Sequence, residues 1–342
     1  MSLAYDVIPL TLVTGFLGSG KSTLLADVLK GEAARDTAVL VNELGAVGLD
    51  HLLMGEVETQ TVLLDNGCIC CSIRGELKDA LAALFSRRAR GEVPPFSRVV
   101  LETTGLATPA PIIATLLADP VIRSHYTLNA TITVVDALNA AQQRARHPEW
   151  LAQLTAADRI LISKVDLVTR ADLARLSCDL ASLNPAADVV LRSTDTDVLL
   201  DLLFAPASSP GLISRLGAHS VDFSATGRRL AHRGEHERLI ESSCIRIDEP
   251  LDWQVFTLWF TMLLNRHGDK ILRVKGLLAI EGTDGPAVLH AVQHLVHPVL
   301  HLDTWPDEIR ATRLVFITEG LEGKQIEASY RRFRSALEEP AT

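Results

Sequence analysis

This chain of 342 residues lacks the features that mark several large classes of protein. Its apolar runs, such as residues 255–264, stop well short of the roughly 20 residues that a membrane-spanning helix needs. Lys and Arg number 33 against 42 Asp and Glu, so the basic footprint of a nucleic-acid-binding protein is missing. The N-terminus has no basic stretch ahead of an apolar core, which is the mark of a signal peptide. These absences predict a cytoplasmic protein that acts on neither membranes nor nucleic acid.

Cysteine is scarce as well, with five in the whole chain. Three of them, Cys68, Cys70 and Cys71, fall within four positions, which is a poor disulfide framework but a typical arrangement for a metal site. Cys178 and Cys244 each stand alone in a periodic apolar pattern, and we expect both to be small buried hydrophobes.

Short apolar, β-rich runs alternate with longer helical patterns over residues 1–204. This alternation predicts an α/β domain, a mostly parallel sheet with helices on both faces. In such sheets ligands bind beyond the carboxyl ends of the strands. The predicted strands are residues 8–14, 37–42, 62–65, 98–102, 131–136 and 159–163, and the predicted helices are 21–30, 73–90, 109–118 and 171–183.

The composition changes after residue 204. Residues 205–242 are rich in Gly, Ser, Arg and His with few periodic apolar positions, which predicts a linker. Residues 243–342 are predicted to form a second, smaller α+β domain of ordinary size. Its predicted strands are 244–247, 271–281, 288–302 and 314–318, and its predicted helices are 253–265 and 324–337.

A glycine-rich segment follows the first predicted strand and matches G-x-x-x-x-G-K-S/T. Its glycines let backbone N–H groups turn inward around phosphate oxygens, and the next helix adds a favourable dipole. Lys21 would then reach the terminal phosphates, and the Ser22 hydroxyl would coordinate Mg²⁺. The alternative is a glycine turn that binds nothing, and a complete motif between strand and helix argues against it. Nucleoside triphosphate contacts are therefore predicted at Gly15, Gly18, Ser19, Gly20, Lys21, Ser22 and Thr23.

A second motif, LETTG, contains an acidic residue and closes the predicted strand 98–102. Glu102 can hold the water shell of Mg²⁺, and the N–H of Gly105 can sense the γ-phosphate. Beside a phosphate loop this is the expected second half of the site, which makes Lys21 and Glu102 the catalytic candidates. No side chain is plainly a hydrolytic base, so we expect slow turnover that depends on a partner or a metal.

The motif SKVD closes the predicted strand 159–163. The Asp166 carboxylate can accept both hydrogens from the N1–H and the amine of guanine, a pair that adenine does not offer. The aliphatic stem of Lys164 can cover the base. The usual form of this motif begins with asparagine where this chain has Ser163. The motif favours GTP over ATP.

The three clustered cysteines are soft ligands, which suit Zn²⁺ or Cu(I). Three thiolates leave one tetrahedral position open, an arrangement that fits an ion to be passed on. The alternative is a cluster of small buried hydrophobes.

Taken together, these motifs resemble the CobW-like family of P-loop GTPases, metallochaperones related to UreG and HypB. Residues 273–282 and 312–317 are similar to the C-terminal domain of that family. The resemblance covers nearly the whole chain except the linker. In the first domain it rests on TGFLGSGKST (14–23), VNELG (41–45), NGCICC (66–71), LETTG (101–105) and SKVD (163–166).

The resemblance implies GTP hydrolysis, with Mg²⁺, coupled to delivery of a transition metal to a client metalloprotein. Zn²⁺ is the most frequent cargo, and Co²⁺ is carried in some branches. The resemblance also implies that Glu43 belongs to a switch segment near Mg²⁺ or the transported ion. Many relatives carry a second acid where this chain has Ala46, so we expect metal binding to depend more on the three cysteines. The sequence does not fix the oligomeric state, and a homodimer is one alternative.

Two other functions remain open. One is an ATP-dependent P-loop kinase for a small molecule, against which Asp166 argues. The other is a non-catalytic nucleotide switch whose cysteines form a redox sensor or a structural zinc clip.

The second domain also contains a run of four histidines: His290, His294, His297 and His301. On one strand they would divide between two faces, and on a helix Pro298 would end the element before His301. Four convergent metal ligands are therefore not expected, and a structural or partner-facing role is favoured.

Overall fold

The computed structural model describes residues 7–30, 34, 36–42, 61–64, 73–205, 228–231 and 239–338. The chain divides into two compact units. The first comprises Met1–Leu176 and Val189–Ala207, and the second comprises Ser177–Asp188 and Ser208–Thr342. None of the helices in the described ranges combines the length and apolar character that crossing a bilayer requires.

In the described part of the first unit, seven strands form one sheet. Their order across it is β3-β2-β4-β1-β5-β6-β7, and β1 to β6 pair in parallel. The central strand is buried almost throughout, as expected for a parallel sheet that is covered on both faces. The strands are β1 (Ile8–Thr14), β2 (Thr37–Asn42), β3 (Thr61–Leu64), β4 (Arg98–Glu102), β5 (Tyr126–Asp136), β6 (Arg159–Ser163) and β7 (Asp188–Leu191).

Helices follow most of these strands. Proline in the first turn, where no backbone N–H is needed, begins three of them. Asp119 caps one by accepting hydrogen bonds from the N–H groups of Val121 and Ile122. The helices are α1 (Lys21–Leu29), α2 (Ile73–Ala89), α3 (Pro109–Ala118), α4 (Pro120–His125), α5 (Ala140–Arg146), α6 (Pro148–Ala156), α7 (Arg170–Leu183) and α8 (Thr196–Phe204).

The second unit is built on an antiparallel sheet in the order β12-β11-β10-β14-β9-β8, with β13 paired to β11. Aromatic side chains of two helices, Phe256, Trp259, Phe260 and Tyr330, pack together in its core. Its elements are β8 (Arg228–Ala231), β9 (Leu239–Ile247), α9 (Trp253–His267), β10 (Ile271–Leu278), β11 (Ala287–Val292), β12 (Leu295–Val296), β13 (Leu300–His301), β14 (Thr312–Glu319) and α10 (Gly323–Glu338).

The predicted fold class, a mostly parallel α/β sheet followed by a smaller α+β part, is confirmed by the two sheets. Four predicted strands have the observed bounds: β1, β2, β4 and β6. β5 begins five residues before its predicted start at Thr131. β7 and the helices α4, α5, α6 and α8 were not predicted, and each of them has at most nine residues. α5, for example, has the sequence AAQQRAR and no apolar periodicity.

Two predictions for the second unit were wrong. The strand predicted over residues 288–302 is broken into β11, β12 and β13, because Gln293 adopts a left-handed turn conformation and Pro298 cannot donate to a sheet. The predicted linker, residues 205–242, contains β8 and the start of β9, which pair with each other. Arg228–Ala231 and Leu239–Ser242 are therefore strand and not linker.

Replacing Phe256 tests the core of the second unit. Phe256→Ala removes a ring that is 1% exposed and stacks on Phe260, with centroids 5.6 Å apart. We expect the free energy of unfolding of this unit to fall by about 3–5 kcal/mol. Urea unfolding followed by tryptophan fluorescence measures it, since three of the four tryptophans lie in this unit. Leu258→Ala, at a position 53% exposed on the same helix, is the control, and an equal loss there would contradict the assignment.

Candidate functional site

The loop between β1 and α1 is shaped by its glycines. Gly15, Gly18 and Gly20 all have positive φ, at 142°, 70° and 95°, a region that other residues rarely adopt. A side chain on Gly15 would also collide with the carbonyl oxygen of Val134 on β5. At Gly15 there is therefore room for backbone only, while at Gly18 and Gly20 the positive φ is what favours glycine, and this backbone conformation suits a loop that surrounds phosphate oxygens.

Lys21 begins α1 inside this loop. Its side chain is 8% exposed, and its Nζ donates to the carbonyl oxygens of Gly15 at 2.8 Å and Phe16 at 3.3 Å. The Ser19 hydroxyl is buried and has no hydrogen-bond partner among the described residues. A cation and an unsatisfied hydroxyl in one glycine-rich loop provide what an anionic ligand needs.

Ser22 and Glu102 meet at the carboxyl edge of the sheet. The Ser22 hydroxyl donates to Oε1 of Glu102 at 2.8 Å, and Glu102 is 3% exposed. The pairing of β1 with β4 sets this contact, because Val13 lies opposite Glu102 in the ladder. Thr103 fastens the next turn, with its hydroxyl 2.9 Å from the Thr14 hydroxyl. A hydroxyl and a carboxylate oxygen are the hard donors that Mg²⁺ prefers, so these residues fit that ion.

The loop after β4 is anchored to the phosphate loop and to α6. A side chain on Gly105 would collide with the backbone of Leu17, so the two loops touch directly. Gln153, fully buried on α6, donates from Nε2 to the carbonyl oxygens of Gly105 and Ala107, each at 3.0 Å. Gln153 was not among the predicted site residues, since a single glutamine in a helical pattern carries no signal.

Ser163, at the end of β6, is bonded to the phosphate loop. Its hydroxyl donates to the carbonyl oxygen of Ser19 at 2.6 Å and is buried. The serine that departs from the usual asparagine thus contacts the phosphate loop directly. Three residues further on, Asp166 is exposed in a single 3₁₀ turn, Val165–Leu167, beside the edge of the sheet.

Lys164 lies between these two residues in a left-handed conformation, with φ of 55°. Its Nζ is 2.6 Å from Oδ2 of Asp136, the last residue of β5. Asp136 is 1% exposed and also accepts hydrogen bonds from the backbone of Leu138 and the side chain of Asn139. Burial alone would raise the pKa of Asp136, but the hydrogen bonds from Lys164, Asn139 and Leu138 hold that pKa below its ordinary value.

Asp136 was not among the predicted site residues. The only local signal was an acid closing a buried strand, Val134-Val135-Asp136. The structure brings it to the same edge as Lys164, because Asp136 lies opposite Ser163 in the β5–β6 ladder.

The predicted transition-metal ligands Glu43, Cys68, Cys70 and Cys71 lie outside the described residues. Within the described ranges, no group of three or more His, Cys, Asp or Glu side chains is placed to hold a metal ion.

The structure also describes the two remaining cysteines and the histidine run. Cys178 is exposed, so the prediction of burial was wrong there. Cys244 is half-buried, and this burial raises the pKa of its thiol to about 12. In the histidine run, the rings of His290 and His297 lie 5.8 Å apart, and His294 contacts Asp269 at 3.1 Å instead.

Family models match both parts of the chain. Residues 9–191 match the nucleotide-binding domain of CobW/HypB/UreG, and residues 240–334 match the C-terminal domain of the cobalamin synthesis protein cobW. The chain belongs to the CobW/HypB/UreG family. The resemblance drawn from the motifs is thereby confirmed.

Relatives in this family match over nearly the full length. The chain is 35% identical to the zinc chaperone YjiA of Escherichia coli, an alignment that covers 96% of this chain and 99% of YjiA. It is 30% identical to the zinc chaperone CobW of Pseudomonas aeruginosa, covering 92% and 88%. The crystal structure of the Zn(II)-bound YjiA GTPase from E. coli superposes with a TM-score of 0.67 at 29% identity, over 96% of this chain and 99% of that one.

Replacing Asp136 tests the contact with Lys164. Asp136→Asn keeps the size but presents an amide where the ammonium needs a negative charge. We expect GTP to bind about tenfold more weakly, because a partly buried cation loses its partner. We also expect the preference for GTP over ATP to shrink, since Lys164 lies two residues before Asp166, the predicted guanine contact. Equilibrium binding of fluorescent GTP and ATP analogues measures both quantities.

Asp172→Asn provides the matched control. Asp172 is exposed on α7 and pairs with Arg175 at 3.8 Å, so its loss should change GTP affinity by less than about twofold. Parent-like GTP affinity and base preference in Asp136→Asn would show that this carboxylate does not position Lys164.

Proposed function

We propose that this chain is a GTP-hydrolysing zinc chaperone of the cytoplasm that delivers Zn²⁺ to a client metalloprotein. The observation that carries the proposal is the contact of Ser22 with Glu102, 2.8 Å long, next to a phosphate loop that surrounds Lys21. These groups converge from two strands and one helix on a single point at the carboxyl edge of the sheet.

The first part of the proposal concerns the phosphates. The backbone N–H groups of Gly18, Ser19 and Gly20 bind phosphate oxygens, and Lys21 exchanges its loop carbonyls for the terminal phosphates. Thr23, at the start of α1, adds a further contact. Ser22 and Glu102 hold Mg²⁺, directly or through its water shell, and the ion neutralises charge that develops on the phosphates. Gly105 places its N–H beside the γ-phosphate.

The second part concerns the base. Asp166 is exposed beside the sheet edge and accepts two hydrogen bonds from guanine. Lys164 covers the base with its stem while Asp136 holds its ammonium. Ser163 keeps this end of the site in register with the phosphate loop through its bond to Ser19.

The third part concerns the cargo. Cys68, Cys70 and Cys71 supply three thiolates for Zn²⁺, and Glu43 adds a carboxylate. The chain leaves β2 immediately before Glu43 and leaves β3 four residues before Cys68. These strand ends are neighbours, because Asn42 lies opposite Leu64 in the ladder. Val41 lies opposite Glu102 in the next ladder, so β2 ends beside the carboxylate proposed for Mg²⁺ and β3 ends one strand further away.

The relatives support zinc as the ion. The two curated relatives named above are zinc chaperones, and the solved YjiA structure is Zn(II)-bound. Delivery requires a protein that receives the ion, so a client metalloprotein is the partner that this function implies.

Replacing Lys21 tests the phosphate site. Lys21→Ala removes the cation that the loop surrounds, and we expect GTP hydrolysis to fall by about 100-fold or more, because charge on the transferring phosphoryl group loses its stabilising partner. Phosphate release under saturating GTP measures the rate, and circular dichroism checks the fold. Lys30→Ala, at an exposed lysine just after the same helix, should hydrolyse GTP at the parent rate. Parent-like hydrolysis by Lys21→Ala would refute the site.

Zinc affinity in two nucleotide states tests the coupling. We expect Zn²⁺ affinity to differ by roughly 5- to 150-fold between GDP and a non-hydrolysable GTP analogue, the usual range for coupled sites. Chelator competition measures this difference. Because thiols must deprotonate to bind Zn²⁺, the affinity should also fall as the pH is lowered.

Cysteine variants locate the zinc site. Cys70→Ser should lose both the tight binding and its dependence on nucleotide, whereas Cys178→Ser, at an exposed cysteine of α7, should retain them. Equal Zn²⁺ affinity in the two nucleotide states would rule out the chaperone mechanism. A nucleotide-dependent affinity that survives Cys70→Ser would move the zinc site away from the cysteine cluster.

A further inference from the structure

A groove of about 920 Å³ runs between α9 and α10 on the second unit. Its floor is apolar and includes the buried side chains of Trp259, Leu263 and Ile326. Met262 also lines it and is 54% exposed. Trp259, Leu263 and Ile326 also belong to the core of this unit, so Met262 is the one of these four side chains that leaves substantial apolar surface open to water.

The polar lining of this groove has one sign of charge. Arg266, Lys324 and Arg332 line it, and no Asp or Glu is among its lining residues in the described part of the chain. Burial lowers the pKa of His267 at the same groove, and the nearby Arg266 and Lys270 lower it further. This positive patch lies on a chain whose formal net charge is −9, so it runs against the overall composition.

These three cations differ from their neighbours in their pairing. Arg331 pairs with Glu327, and Arg334 pairs with Glu249. Arg266, Lys324 and Arg332, by contrast, form no ion pair with another residue that the structure describes. Within the described ranges, the positive charges that line the groove therefore have no counter-charge in an ion pair.

We infer that this groove binds an acidic amphipathic helix of a partner protein. The lining positions on α9 (259, 262, 263 and 266) recur at helical spacing and therefore lie along one face of that helix. The groove between α9 and α10 can take the apolar face of a third helix. Acidic side chains on the flanks of that helix would pair with Arg266, Lys324 and Arg332. A nucleic acid would match the charge but would leave the aliphatic part of the floor, Met262, Leu263 and Ile326, unused.

A designed peptide tests this inference on the full chain. The probe is a fluorescein-labelled 18-residue helical peptide, about five turns, with leucine at i, i+3, i+4 and i+7 and glutamate on the flanking positions. Its control carries lysine in place of every glutamate. We expect the glutamate peptide to bind at least about tenfold more tightly by fluorescence anisotropy. Equal binding of the two peptides, or no binding of the glutamate peptide, would overturn the inference.

Paired variants on one helix locate the binding surface. Arg332→Glu should weaken binding of the glutamate peptide by about tenfold or more, because it reverses a charge in the groove. Arg331→Glu makes the same change one residue away, outside the lining, and should weaken binding by less than about twofold. Met262→Asp should weaken binding through the apolar floor. Equal losses in Arg331→Glu and Arg332→Glu would indicate attraction by bulk charge and overturn the inference.

Two measurements exclude other occupants. Tighter binding of an 18-nucleotide single-stranded DNA, with the same dependence on Arg332, would assign the groove to nucleic acid. A lower oligomer mass of Met262→Asp than of the parent in sedimentation equilibrium would assign it to a second copy of the chain. Either result overturns the inference. None of these measurements uses GTP or zinc, so their failure leaves the proposed function untouched.

Discussion

Because β1 to β6 pair in parallel, the carboxyl ends of all six strands lie along one edge of the first sheet. The contacts of the candidate site that join separate strands depend on that arrangement. The ladder places Glu102 beside the start of the phosphate loop and Asp136 beside Ser163, although the members of each pair are far apart in sequence. No single loop could bring these groups together.

The buried charges at this edge are held by polar partners, as burial demands. The ammonium of Lys21 is satisfied by loop carbonyls, and the carboxylate of Asp136 by Lys164, Asn139 and two backbone N–H groups. Without such partners, each group would cost several kcal/mol to bury. The partners of Lys21 are backbone atoms of a loop, which an arriving phosphate can replace without disturbing the core of the sheet.

The sequence was most informative where the residues of the candidate site belong to contiguous motifs. The phosphate-loop motif and LETTG predicted that Ser22 and Glu102 serve one ion, and the structure places the two side chains in contact, while binding of the ion stays a prediction. Residues of the site were not predicted where their hydrogen-bond partner is distant in sequence and the local sequence pattern is ordinary. Gln153 lies 48 residues from Gly105, and Asp136 lies 28 residues from Lys164. The strand predicted through Gln293 failed because one left-handed residue reverses the chain without altering the apolar pattern.

The hydrogen bond from Ser163 to the carbonyl oxygen of Ser19 has a consequence for how nucleotide state is communicated. It joins the end of β6 to the phosphate loop, so the segment proposed to hold the base is tied directly to the segment proposed to hold the first phosphates. The loop after β4 offers a separate route by which the third phosphate could act on the rest of the domain. In this loop Gly105 touches Leu17, and the hydrogen bond from Gln153 to Gly105 links the loop to α6.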